Sequence, residues 1–191
     1  MDIITIIEKY VELSVRSDAL KKTIKDSKDF YTYAKIEGDM AFYEKDYELE
    51  KSYNNSARYH IETQGKAEND LAKVDELLAF IHNAYKEAVQ SLNGIELKET
   101  AITIESKKAD IERQIEALSQ RRNWATSKGD VAFASHNFQE EQEYNRISSE
   151  CYFEIERMKP MVYYYSLFVN DLNHSADRKN NQDLGPTGPA R

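Results

Sequence analysis

Gly38-Asp39-Met40-Ala41-Phe42 returns ninety-one residues later as Gly129-Asp130-Val131-Ala132-Phe133. The correspondence continues without a gap: Glu50, Tyr53 and Asn54 recur as Glu141, Tyr144 and Asn145, and Tyr47 becomes Phe138. Upstream, Ile24 matches Ile115, Tyr33 matches Trp124 and Ala34 matches Ala125. Between residues 38 and 54, seven of seventeen positions are identical to their partners, which reads as a tandem duplication. A repeat of this length describes architecture and not chemistry.

The chain around these stretches is built for helix. Its 191 residues include six glycines and three prolines, and no proline stands before Pro160. Nothing upstream of that point forbids a continuous helical backbone. Apolar residues make up 40% and charged residues 31%, a normal balance for a folded helical protein. A net charge of −8 argues against a general nucleic-acid coat, which needs a basic footprint. The single cysteine, Cys151, excludes an intrachain disulfide framework and a cysteine-rich metal site. The start, Met1-Asp2-Ile3-Ile4-Thr5-Ile6-Ile7-Glu8, lacks the basic region and the length of a secretory signal. No apolar run reaches membrane-spanning length. The expected location is the cytoplasm, or a virion for a viral protein.

From residue 3 to about residue 37, positions 3, 6, 10, 13, 17, 20, 24, 27, 31 and 34 form a heptad seam, with serines at 17 and 27. Gly38 then reads as a helix stop and Asp39 as the next N-cap, with Phe42 behind them. Gly129, Asp130 and Phe133 read the same way. A tyrosine-rich second helix is expected up to Gly65. A third follows to about Leu92, with Leu71, Val74, Leu78, Ile81 and Tyr85 on one face. Asn93-Gly94 is the strongest internal break. The second unit repeats the plan, with Pro160 in the first turn of its last helix. From Ser175 the pattern dissolves, and Gly185-Pro186-Thr187-Gly188-Pro189-Ala190-Arg191 resembles two collagen-like triplets and the start of a third.

The residues that could carry chemistry point away from an enzyme. A di-iron bundle needs Glu-x-x-His on paired helices, and no glutamate stands three residues before His60, His82, His136 or His174. Glu50 with Tyr53, and Glu141 with Tyr144, are therefore read as structural or solvated. No phosphate-cradling glycine loop and no Gly-x-Ser-x-Gly elbow occurs. Cys151 reads as a small packing group. Lys21, Lys22, Lys25 and Lys28 form the most basic cluster, diluted by aspartates as solvated helix faces are. The densest apolar run is residues 161–169. There Val162, Tyr165 and Val169 take the inner stripe, leaving Tyr163, Tyr164, Leu167 and Phe168 as candidates for an intermolecular face.

The expected fold is all-α: two copies of a three-helix, coiled-coil-like unit, six helices in all. The first unit spans residues 1–93, the second residues 94–174, and residues 175–191 form a disordered or extended tail. The three-helix plan is similar in outline to spectrin-type repeats. A single merged bundle is the alternative. The expected function is a non-enzymatic structural or scaffolding protein that assembles with itself or within a larger complex, a phage or viral structural or accessory part among the options. The competing expectation is an acidic regulatory protein that blocks a partner. No cofactor, metal, nucleic acid or membrane is called for, and the partner is a protein or another copy of the chain.

Overall fold

The computed structural model describes residues 2–183, with backbone alone for residues 182 and 183. Among the described residues the fold is all-helical, in four helices and not six: α1 Ile3–Tyr43, α2 Tyr47–Ser91, α3 Gly94–Ala134 and α4 Phe138–Asp183. The three-helix repeat is thus replaced by a helical hairpin, α1 with α2 and then α3 with α4.

The expected turns at Gly38-Asp39 and Gly129-Asp130 do not exist. Both dipeptides lie inside helices, and the chain reverses a few residues later. The reversals at Lys45 and His136 are ninety-one residues apart, and both residues are left-handed, at φ 62° and 59°. Around each, the last turn closes in the same way. The Lys45 N–H donates to the Phe42 carbonyl at 3.1 Å and the Asp46 N–H to the Ala41 carbonyl at 2.9 Å. His136 to Phe133 at 3.0 Å and Asn137 to Ala132 at 2.9 Å repeat the pattern. These bonds satisfy carbonyls that a helix end leaves open, as in a Schellman closure. The same Asp46 then caps α2, accepting from Leu49 N at 3.1 Å, and Asn137 caps α4, accepting from Glu140 N at 3.4 Å. Phe42 and Phe133 serve these turns through their carbonyls, while their rings point outward.

The repeated glycines mark close approach. A Cβ at Gly38 would meet the Tyr53 Cβ at 3.4 Å and Asn54 Oδ1 at 3.5 Å. At Gly129 it would meet Asn145 Oδ1 at 3.2 Å and the Tyr144 Cβ at 3.6 Å. Ala34 and Ala41 flank the first crossing and Ala125 and Ala132 the second, all buried. Small side chains let two helices lie this near each other. Gly65 ends nothing: it sits within α2 with no atom within 4 Å of a Cβ position. Pro160 lies inside α4 rather than opening a helix. It has no N–H to donate to the carbonyl of Glu156, one turn earlier, and Glu156 is exposed.

The break at Asn93-Gly94 is real. Asn93 Oδ1 accepts from Ile95 N and Glu96 N, each at 2.9 Å, and Glu96 Oε2 accepts from Asn93 N at 2.8 Å. This reciprocal capping box opens α3. α4 supplies the rest of that corner. Lys179 Nζ donates to the carbonyls of Val89 and Gln90, each at 2.9 Å, and to that of Leu92. A cation on the last carbonyls of α2 complements that helix end. Here the expectation of an extended tail from Ser175 fails. Residues 175–183 continue α4, because Ser175 and Ala176 are buried and Lys179 is engaged. Residues 184–191, with the collagen-like ending, lie outside the described residues.

Two compact units divide the chain. One is Glu12–His82; the other joins Met1–Val11 to the chain from Asn83 onward. In Glu12–His82, α1 and α2 run antiparallel over a seam of Ser14, Ser17, Ser27, Ala34, Ala57 and Ala67, with Val74 and Ile81 nearer its open end. In the other unit, four helical segments enclose Ile7, Val11, Leu97, Ile104 and Leu172 completely. Burial of each such side chain contributes roughly 1.5–3 kcal/mol.

Candidate interaction surface

The seven identical positions of the duplication divide by what they touch. Gly38, Tyr53 and Asn54 meet at the helix crossing, and Glu50 Oε1 accepts from Asn54 Nδ2 at 3.4 Å. Gly129, Tyr144 and Asn145 repeat the arrangement, with Glu141 accepting from Asn145 at the same distance. Ala41 and Ala132 are buried beside them. Glu50 and Glu141 therefore orient an asparagine over a glycine. Among the described residues no group of three or more His, Cys, Asp or Glu side chains gathers as metal ligands would. No described helix is long and apolar enough to cross a membrane.

The remaining identical positions, Asp39/Asp130 and Phe42/Phe133, face outward. Phe42 is 54% exposed and Phe133 60%. The Phe42 ring meets the exposed rings of Tyr43 and Tyr47 at centroid distances of 6.1 and 6.5 Å. Other apolar positions are exposed in both copies as well: Tyr33/Trp124, Met40/Val131, Tyr47/Phe138 and Ile61/Tyr152. Isolated exposed apolar residues are ordinary on any protein. The same positions left exposed and apolar in two diverged copies form a pattern. Tyr33 packs edge-on against Tyr53 at 6.3 Å and 83°, and Trp124 against Tyr144 at 5.5 Å and 85°. Each hairpin thus carries a half-exposed aromatic pair beside its glycine crossing. Loss of water around Tyr53, with Tyr33 next to it, raises its phenol above the ordinary value.

The aromatic run of α4 is split by the structure. Phe168 is a core residue and not part of an outer face: its ring meets Tyr10 at 5.1 Å and Tyr85 at 4.9 Å, both edge-on. Tyr85 donates its hydroxyl to Asp171 Oδ2 at 2.7 Å, and burial with this bond holds the phenol protonated far above its ordinary range. Tyr163 and Leu167 are exposed, and Tyr164 is half-buried. Of the inner stripe, Tyr165 is buried while Val162 and Val169 are only half-buried. Nearby, Lys107 Nζ pairs with Glu8 Oε1 at 2.6 Å, which raises the lysine above its usual value.

Sequence reasoning placed Phe42 and Phe133 in the turn and missed that their rings are the outward part. The available signal was the paired Asp46/Asn137, each an N-cap residue with acidic neighbours in the turn that follows. Compared with known proteins, the chain matches no family model, no curated protein and no solved structure.

Proposed function

We propose that this chain is a non-enzymatic structural or scaffolding protein that assembles with itself or within a larger complex through the outer faces of its helices. One observation carries the reading. Of the residues kept identical between the copies, five pairs pack within their own hairpin, whereas Phe42 and Phe133 leave more than half their surface in water. Covering one such ring is worth about 1–2 kcal/mol, so several covered together make a contact of useful strength. The acidic-inhibitor alternative needs carboxylates gathered on one face. Instead Glu105, Glu143 and Glu156 each pair with a base one turn along, to Lys108, Arg146 and Lys159.

Light scattering across a concentration series tests the proposal. Mass should rise above that of one chain, and Phe42→Ser with Phe133→Ser should lower it while helical circular dichroism is unchanged. A single-chain mass at every concentration would remove self-assembly and turn the search to a heterologous partner.

A further inference from the structure

The two copies of the hairpin carry opposite charge at the same place. On α1, Lys21, Lys25, Lys28, Lys35 and Asp39 follow spacings of three, four and seven, so they line one side of the helix, and all are exposed. This row holds four bases and one acid and ends in exposed Phe42. None of its lysines has a carboxylate within ion-pair distance among the described residues. Ninety-one residues on, the same row of α3 holds Glu112, Glu116 and Asp130, no base, and ends in exposed Phe133. Its three acids are exposed too, and among the described residues none has a base within ion-pair distance. The hairpin folds with either set, so its own architecture requires neither the lysines nor the glutamates.

We infer that the basic row of α1 pairs with the acidic row of α3 in a second copy of the chain. The inference rests on the assembly reading above and names one of its contacts. Charge complementarity selects the occupant: each row lacks the sign that the other carries. The direction follows from the ends. Laid parallel in the register of the duplication, Lys21 meets Glu112, Lys25 meets Glu116 and Phe42 meets Phe133. Opposite charges attract, and two rings that stand in water cover each other. An antiparallel arrangement would separate the rings. Asp39 against Asp130 is the one repulsive pairing, and Lys35, one turn before Asp39, offsets it. The rows are roughly 33 Å long at the helical rise. One helix pair of that length makes a small interface, so the association is of the weak, concentration-dependent class.

Neither row suits itself. Two α1 rows would bring lysine to lysine, and two α3 rows glutamate to glutamate. The contact is therefore heterologous, with a different surface on each side. It closes at two chains if they exchange both rows, and otherwise it propagates.

A mixing experiment on the full chain decides the matter, by light scattering or sedimentation from about 10 μM to about 1 mM. One variant carries Lys21→Glu with Lys25→Glu, so both its rows are acidic. The other carries Glu112→Lys with Glu116→Lys, so its α3 row turns basic like α1. Each alone should assemble about tenfold more weakly or worse, because like charges now face each other. An equimolar mixture of the two should regain assembly, since every acidic row again finds a basic one. High salt should weaken both the wild type and the mixture. All four sites are exposed, so circular dichroism should report an unchanged fold. Assembly that survives in both variants, or a mixture that stays as weak as its parts, overturns the pairing and leaves the assembly reading standing. A wild type of single-chain mass at every concentration overturns the pairing and self-assembly together.

Discussion

The unit Glu12–His82 and the four-segment core of the other unit, around Ile7, Leu97, Ile104 and Leu172, bury opposite kinds of residue. In the first, the buried positions are mostly serine and alanine, and large apolar residues such as Phe30, Ile36, Phe42, Tyr59 and Phe80 stand outside. In the second, leucine, isoleucine, tyrosine and phenylalanine close around one another. The difference is geometric. Two helices share a single line of contact, and only side chains short enough to sit on that line are hidden. Four segments enclose a volume, and a side chain such as Leu172 or Phe168 is covered from every direction. A hairpin of the first kind is stabilised less by burial and leaves more apolar surface in water.

Phe168→Ala gives the largest expected effect. It removes a ring held between Tyr10 and Tyr85 and should cost about 3–5 kcal/mol in urea unfolding. A loss under about 1 kcal/mol would mean that the four-segment core is not as closed as its burial implies. Ala34→Leu attacks the first hairpin from the other side. Its seam has no room for a branched side chain, so destabilisation by about 1–3 kcal/mol is expected from the same measurement. If Ala34→Leu instead stabilises the protein, the close-approach account of the hairpin is wrong.

Lys179→Met keeps the aliphatic stem and removes the charge from the last carbonyls of α2. A loss of about 1 kcal/mol is expected, with faster amide exchange confined to the corner around Asn93. Exchange unchanged there would show that water replaces the ammonium at no cost. The smallest effect has the opposite sign. Gly65→Ala adds a methyl where nothing stands within 4 Å, inside a helix, and should stabilise by about 0.5–1 kcal/mol. Gly94→Ala is its counterpart: the added Cβ would press on the Asn180 side chain and lie 3.1 Å from the Ala176 carbonyl, so it should destabilise. Thermal melts of the two variants should move apart, and parallel shifts would break the distinction drawn between these glycines.

Much of this was legible in the amino-acid order. The heptad positions of α1 are all buried or half-buried, and the seam follows from side-chain spacing alone. The break at Asn93-Gly94 was readable, because the chemistry that opens α3 there is complete within a few residues. The hairpin turns were not. Gly38-Asp39 carries the same local signals as a genuine stop, whereas the left-handed residues are Lys45, a type with no special preference for that conformation, and His136, a type that visits it more often but far less than glycine. The candidate face suffered in the same way. Phe168 and Leu167 are equally apolar neighbours, and only the position of Tyr10 and Tyr85 decides which of them turns inward.

By itself the sequence determined that the chain is helical, that it is duplicated, and that it breaks at Asn93-Gly94, because propensity, periodicity and capping act over a few residues. The tertiary structure decided that Gly38 and Gly129 are contact points and not stops, that α4 continues through Pro160 and Ser175, and which aromatic rings reach water. Those outcomes depend on what a helix meets across its surface, and that partner lies tens of residues away in the chain.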